Sequence, residues 1–352
     1  MHKTIRSWPQ LSSTNYVLSF INTPQTEHTS SVLKHQYRRI ALSSGVRTPH
    51  RRTFATMDAK PAPMPKLLYG TAWKKDATAD LVSSALKAGF RGIDTAAQPR
   101  HYKEPLVGAA VKSAIAEGVL QREELFIQTK FTSIDGQDLD DLPYSPEAPL
   151  EEQVHTSVAS SLQNFRCHDA EEPYIDSFVL HSPLRKLSDT TKVWKTLETY
   201  VPHKIRQLGI SNAPLSVVDY LCTSPDITVR PACVQNRFYP ATRWEVGLRA
   251  YCRQKGIRFQ TFWTLSGNPQ LLRSAPVQLL ASNVGIESAV ALYSLVLGLE
   301  GTSVLDGTTN ETHMNDGLRG IETVSEYAET ELGRPVWSEC LGAFKKLIGE
   351  QD

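Results

Sequence analysis

From Lys66 onward, short apolar runs alternate with longer stretches whose apolar residues recur at helical spacing. The run Lys66 to Gly70 ends in glycine, and Ala77 to Ala88 follows with a helical pattern. Strands are then expected at Gly92 to Asp94, Leu125 to Lys130, Ile175 to His181, Ile205 to Ser211, Ala232 to Gln235, Ile257 to Phe262 and Thr302 to Leu305. Helical patterns fall between them at Pro105 to Glu117, Pro149 to Phe165, Lys192 to Tyr200, Pro214 to Cys222 and Trp244 to Gln254. A composite stretch from Gln278 to Leu299, a helix from Glu311 to Arg319 and a closing helix at Val336 to Ile348 complete the pattern. Eight strand–helix units over roughly 290 residues, without an evident linker, fit a closed parallel (β/α)8 TIM barrel whose site lies at the strand C-terminal ends. An open doubly wound sheet is the competing fold, and its usual GxGxxG turn is absent from this chain.

The first 54 residues are of different composition, with eight Lys/Arg, fifteen Ser/Thr and Glu27 as the only acid. This matches a transit peptide and lacks the apolar core of a secretory signal. Arg51-Arg52-Thr53-Phe54-Ala55 resembles a mitochondrial processing site. Residues 1–54 are therefore expected to be an import or disordered extension and 55–352 the barrel domain; initiation at Met57 would instead leave a cytoplasmic protein. Thirty-eight basic against 37 acidic residues give a net charge of +1, which argues against nucleic acid or an anionic membrane as partner. The longest apolar stretch, Ala289 to Leu299, is well short of the roughly 20 residues needed to span a bilayer. Five scattered cysteines and the remaining histidines form no metal-ligand spacing, so buried free thiols and no metal are expected.

The candidate chemistry comes from Asp94, Tyr102, Lys130 and His181, each at a strand end or in the loop after it. A phenol with a pKa near ~10 is a poor proton donor at neutral pH, and a nearby ammonium favours the phenolate left behind. Lys130 would supply that charge, Asp94 would keep the lysine charged and placed, and His181 would orient a carbonyl oxygen. Taken singly, each has a plainer reading: Asp94 as a turn residue, Lys130 as a solvated head, His181 as a core histidine, and Tyr102 as packing beside a polar His101.

With their flanks, these residues resemble the aldo-keto reductase family. Gly89-Phe90-Arg91-Gly92-Ile93-Asp94-Thr95-Ala96, then Tyr102 with Val107-Gly108, look like its second-strand region. Phe126-Ile127-Gln128-Thr129-Lys130 and Ile175-Asp176-Ser177-Phe178-Val179-Leu180-His181-Ser182-Pro183 look like the strands carrying its lysine and histidine. Leu208-Gly209-Ile210-Ser211-Asn212 is similar to the next segment, and the match runs from about Lys66 to Asp316. The resemblance implies a reversible, NADP(H)- or NAD(H)-dependent reductase of small aldehydes and ketones, acting as a monomer or weak oligomer. It implies that Ser211, Asn212 and Gln235 meet the nicotinamide carboxamide, that Phe262 stacks on its ring, and that the Leu265 segment meets the pyrophosphate. The plainer readings are helix capping for Ser211-Asn212 and interior packing for Gln235 and Phe262.

Three positions depart from the family pattern. Tyr102 lies eight residues after Asp94 rather than five, with Pro99 between them. The lysine and arginine that clamp the adenosine 2′-phosphate are replaced by Asp306 and Thr312, which makes NAD plausible. Phe262-Trp263-Thr264-Leu265-Ser266-Gly267 replaces a Tyr-Ser-Pro-Leu pattern. A catalytically weak, dinucleotide-binding regulatory barrel is the alternative these departures suggest. The loop from Phe131 to Pro149, the stretch Arg237 to Trp244 and the segment after Asp316 are expected to shape the substrate pocket.

Overall fold

The computed structural model describes residues 63–168 and 170–350, so the expected import segment and its processing site lie outside the described residues. Eight parallel strands pair in sequence order and close on one another: β1 Leu67–Gly70, β2 Gly92–Asp94, β3 Phe126–Phe131, β4 Ile175–Leu180, β5 Ile205–Ser211, β6 Cys233–Arg237, β7 Arg258–Phe262 and β8 Thr302–Asp306. Closure is made where Leu67 aligns with Val304 and Tyr69 with Asp306. Every residue of β3 and β4 is buried, as expected for strands covered on both faces.

The helices α1 Thr78–Ala88, α2 Glu104–Ala116, α3 Leu150–Asn164, α4 Leu187–Glu198, α5 Leu215–Thr223 and α6 Val246–Lys255 alternate with strands. Then come α7 Pro269–Leu272, α8 Ala275–Val284, α9 Ser288–Leu297, α10 Glu311–Glu329 and α11 Gly333–Leu347. Helix α1 stops where Gly89 turns left-handed at φ 113°, a conformation that costs glycine little. Asn310 caps α10, its Oδ1 accepting from the amides of Thr312 at 2.8 Å and His313 at 3.2 Å.

Three helices differ from expectation. The composite stretch is two helices, α8 and α9, bent by 108° at a break around Gly285. Helix α4 begins at Leu187, five residues ahead of the expected Lys192, because Thr190 turns inward and is fully buried. Helix α10 continues past Arg319 to Glu329, and Gly320 within it lies so close to α9 that a Cβ there would meet Val290 Cγ1 at 2.6 Å. A glycine that weakens a helix by propensity here permits its packing. No single described helix is long and apolar enough to cross a membrane.

The seven described non-glycine residues with positive φ are Trp73, Lys75, Asn212, Arg243, Trp244, Glu245 and Trp263. All follow β1, β5, β6 or β7, at the C-terminal rim of the barrel.

Candidate active site

Side chains alternate along a strand, so inward positions on one strand recur every two residues. On β3 and just beyond it these are Gln128, Lys130 and Thr132; on β6, Gln235 and Arg237; on β7, Gln260 and Phe262. Instead of branched apolar layers, the barrel interior at this level carries amides around a carboxylate. Asp94 Oδ1 accepts from Gln128 Nε2 at 2.7 Å and Gln235 Nε2 at 2.9 Å. The same two amide nitrogens also donate to Gln260 Oε1, at 2.7 and 2.8 Å. Such a network holds its members rigidly only because it is satisfied.

Lys130 is fully buried and donates from Nζ to Asp94 Oδ2 at 2.6 Å and to the Thr95 carbonyl at 2.8 Å. Burial pulls its pKa down, and the Asp94 charge opposes that loss. The ammonium lies 5.2 Å from the centre of the Tyr102 ring, over its face. The longer Asp94-to-Tyr102 connection is taken up in a turn: the amides of His101 and Tyr102 both donate to the Gln98 carbonyl, at 3.1 and 3.0 Å. Tyr102 thus stays at the site, its ring edge-on to that of His181 with centroids 5.9 Å apart.

The Tyr102 hydroxyl makes no hydrogen bond among the described residues, so Lys130 meets the ring rather than the oxygen. Burial, followed by the Asp94 charge, holds the phenol pKa above its ordinary value. The sequence places Lys130 as the group that makes the phenol more acidic; in the fold Lys130 is bonded to the Asp94 carboxylate, whose charge raises the phenol pKa. His181 hydrogen-bonds through Nδ1 to Thr132 Oγ1 at 2.6 Å. Burial, then the Lys130 charge, keeps its pKa well below the usual imidazole range, so the ring is neutral near pH 7.

A cavity of about 940 Å³ opens above these residues. Asp94, Tyr102, His181, Ser211, Asn212, Gln235, Phe262 and Leu265 all line it, while Lys130 sits behind Tyr102. Ser211 Oγ donates to the Gln235 carbonyl at 2.7 Å. Asn212, left-handed at φ 52°, donates from Nδ2 to the His181 carbonyl at 2.9 Å. Arg237 lies over Phe262, with Cζ 5.3 Å from that ring centre. Of the expected pocket loops, only Thr132 and Gly136 of the first, Arg237 of the second and Gly317 of the third reach the cavity. The first loop folds back because Tyr144 is buried, stacking on Phe131 and donating to the Thr132 carbonyl at 2.5 Å.

At its other end the cavity reaches Asp306, Gly307 and Thr308 and the first turns of α10 at His313 and Gly317. Asp306 Oδ1 accepts from the Thr308 amide at 3.0 Å and from the Tyr293 hydroxyl at 3.3 Å. Lys74 donates to the carbonyls of Gly307 and Thr308, and burial brings its pKa down to about 8 against the opposing charge of Asp306. Thr312 points to solvent and does not line the cavity. The cavity thus has Tyr102 and His181 in one part of its lining and the buried Lys74 and Asp306 in another. Among the described residues no group of three His, Cys, Asp or Glu side chains is placed to hold a metal ion.

Gln128, Gln260 and Lys74 escaped the reading of the sequence, and Thr132 and Arg237 entered it only as members of pocket-shaping segments, without a role of their own. All but Lys74 stand two residues from an expected site residue, Gln128 and Thr132 from Lys130, Gln260 from Phe262 and Arg237 from Gln235, and that spacing was the available signal.

The profile of the Aldo/keto reductase family matches residues 66–278. A member of aldo-keto reductase family 4 from Arabidopsis thaliana is 27% identical, over 76% of this chain and 87% of its own length. Aldehyde reductase YPR1 of Saccharomyces cerevisiae is 29% identical over 66% of this chain and 75% of its own. Glyoxal reductase of Bacillus subtilis is also 29% identical, over 62% and 69%. Among solved structures, an aldo-keto reductase from a Medee basin deep-sea metagenome library shares the fold with a TM-score of 0.61, at 21% identity, over 79% of this chain and 92% of that one.

Proposed function

This chain belongs to the aldo/keto reductase family, and from that premise we propose that it reduces aldehyde or ketone carbonyls reversibly, with Tyr102 as the proton donor. The observation that carries this reading is the buried Lys130–Asp94 pair, 2.6 Å apart, behind a tyrosine that faces a neutral histidine across the same cavity. A bound nicotinamide dinucleotide would supply the hydride. Ser211, Asn212, Gln235 and Phe262 would hold its nicotinamide end, Leu265 would lie along its middle, and Lys74 and Asp306 would meet the adenosine half. Gln235 offers its carbonyl oxygen to such a ligand, since Nε2 is already bonded within the barrel.

In this reading a small carbonyl compound sits with its oxygen between Tyr102 and His181. The Thr132–His181 Nδ1 contact permits either direction, and in the tautomer this reading requires, Thr132 donates its hydroxyl proton to Nδ1 and Nε2–H is left to donate to the carbonyl oxygen. As the carbon is reduced, the oxygen becomes an alkoxide, a stronger base than phenolate, and takes the Tyr102 proton. The phenolate left behind has the Lys130 ammonium over its ring, and Asp94 keeps that ammonium charged. A carboxylate at Asp306 would disfavour a 2′-phosphate and could accept from a ribose hydroxyl, so NAD(H) is proposed as the preferred cofactor over NADP(H).

The test follows consumption of NADH and NADPH, separately, with a panel of aldehydes and ketones. Tyr102→Phe and Lys130→Met are expected to lose the reaction at least 100-fold while nucleotide binding, read by fluorescence, persists. Full activity in Tyr102→Phe would remove the proposed donor, and tighter binding of NADPH than NADH would remove the cofactor preference. The absent bond between Lys130 and the Tyr102 hydroxyl favours the second reading, a weakly active regulatory barrel, and nucleotide binding with no aldehyde consumption would establish it. Residues 1–54 are proposed as a mitochondrial import segment on their composition. Amino-terminal sequencing of the native protein would find Ala55 or thereabouts first if they are cleaved, and Met57 if translation starts there.

A further inference from the structure

We infer that Arg237 sets substrate specificity by receiving the carboxylate of an anionic carbonyl compound, an aldehyde or keto acid; this rests on the reductase reading above. Arg237 ends β6, two residues beyond Gln235 and on the same inward face. Its Nη1 donates to Asn212 Oδ1 at 3.2 Å, and among the described residues no carboxylate lies within ion-pair distance of it. The other cations near the cavity are already engaged: Lys130 with Asp94, and Lys74 with the loop after β8.

The guanidinium is held as a plane, with Cζ 4.7 Å from the Trp263 ring centre and 5.3 Å from that of Phe262. Aromatic walls orient it and strip part of its water, which strengthens whatever ionic contact it then makes. One of its five N–H groups is used, so an edge of the fork is open to a planar oxyanion. Trp263 keeps its place although left-handed at φ 61° and 51% exposed, a conformation that costs energy and is retained beside the arginine. Asn212, which accepts from Arg237, also donates to the His181 carbonyl, so the charge stands one side chain from the residue that would orient the reacting oxygen. An acid whose carbonyl reaches Tyr102 and His181 can therefore bring its carboxylate to Arg237.

The dinucleotide's diphosphate offers the same oxyanion chemistry, and the experiment separates the two sources. With the purified protein, kcat/KM is measured for matched pairs of increasing length: glyoxylic acid and acetaldehyde, succinic semialdehyde and butanal, glutaric semialdehyde and pentanal. The acid-to-neutral ratio is read in wild type, Arg237→Met and Arg237→Lys, with the nucleotide dissociation constant measured alongside. At one chain length or more the wild type should favour the acid, Arg237→Met should lower that ratio by about 10- to 100-fold, and Arg237→Lys should retain part of it. The ratio cancels any general loss from misfolding. An unchanged ratio overturns the proposal, as does a weakened nucleotide affinity with the ratio intact, which would assign Arg237 to the diphosphate. If wild type consumes neither member of any pair, the reductase reading fails and takes this inference with it; turnover of neutral aldehydes without an acid preference defeats this inference alone.

Discussion

At the scale of single residues, neighbours set the protonation states the chemistry needs. The depressed pKa of His181 means the imidazole gains a proton only well on the acid side of its ordinary titration, so the neutral, donating form is present throughout the neutral range. The rate of carbonyl reduction is therefore expected to be flat between about pH 6 and about pH 8, and a limb near an ordinary imidazole pKa in kcat/KM would contradict it. The raised phenol works in the other direction for alcohol oxidation, which needs phenolate: that rate should still be climbing at the alkaline end of the profile. Thr132 is a positioning residue acting through His181. Thr132→Val should lower kcat by about tenfold with little change in KM, a split that a merely structural role would not produce, and should leave the pH profile flat because burial and the Lys130 charge still keep the imidazole neutral. Lys74 loses its proton as pH rises through about 8, whereas an unfolded lysine keeps it to higher pH. In that window the unfolded chain binds more protons, so folding stability rises with pH while affinity for an anionic dinucleotide falls. Fluorescence titrations of nucleotide across the window check this, and Lys74→Met should flatten the dependence.

At the scale of elements, the site depends on how closely the helices press on the strands behind it. Glu104 opens α2 and accepts from Thr129 on β3, from Ser161 at 3.0 Å and from Asn164 at 2.9 Å on α3, tying three elements behind Lys130. One turn later, a Cβ on Gly108 would lie 2.2 Å from the Asn164 carbonyl oxygen. Gly108→Ala must push α2 away from α3 and should cost about 1–3 kcal/mol, measured as a shift in the urea midpoint. The strands were legible in the sequence because buried parallel strands are short apolar runs with clear ends. Helix limits were less so: the inward turn of Thr190 and the packing of Gly320 on Val290 are tertiary facts with no local signature. Asp94, Lys130 and His181 stood out because each is a titratable residue at the C-terminal end of an expected strand, inside a stretch that resembles the family's. Lys74, Thr132 and Arg237 did not, since in sequence they look like ordinary loop and strand-end polar residues, and only the closed barrel turns them toward one cavity.

At the scale of the whole molecule, the strands form a scaffold whose two ends are built differently. Beneath the cavity, Ser303 Oγ donates to the Pro65 carbonyl at 2.8 Å and Gln260 Nε2 reaches Met64 Sδ at 3.2 Å, closing the barrel floor. Behind it, the chain after α11 is anchored to α6, where Glu350 lies 2.6 Å from Arg249 with both side chains buried. Glu350→Ala would remove that arginine's ion-pair partner and should destabilise the fold by about 3–5 kcal/mol, read from the same denaturant curves.

The mouth carries the left-handed residues instead. Each non-glycine held there costs on the order of 1–2 kcal/mol, so the rim is cocked like a spring while the floor is relaxed. Glycine at Trp263 would let that tension go and take away the ring that Arg237 lies against, so the protein should grip an acid substrate less selectively. Readiness for one kind of guest, on this view, is drawn from reserves that the opposite pole of the barrel supplies.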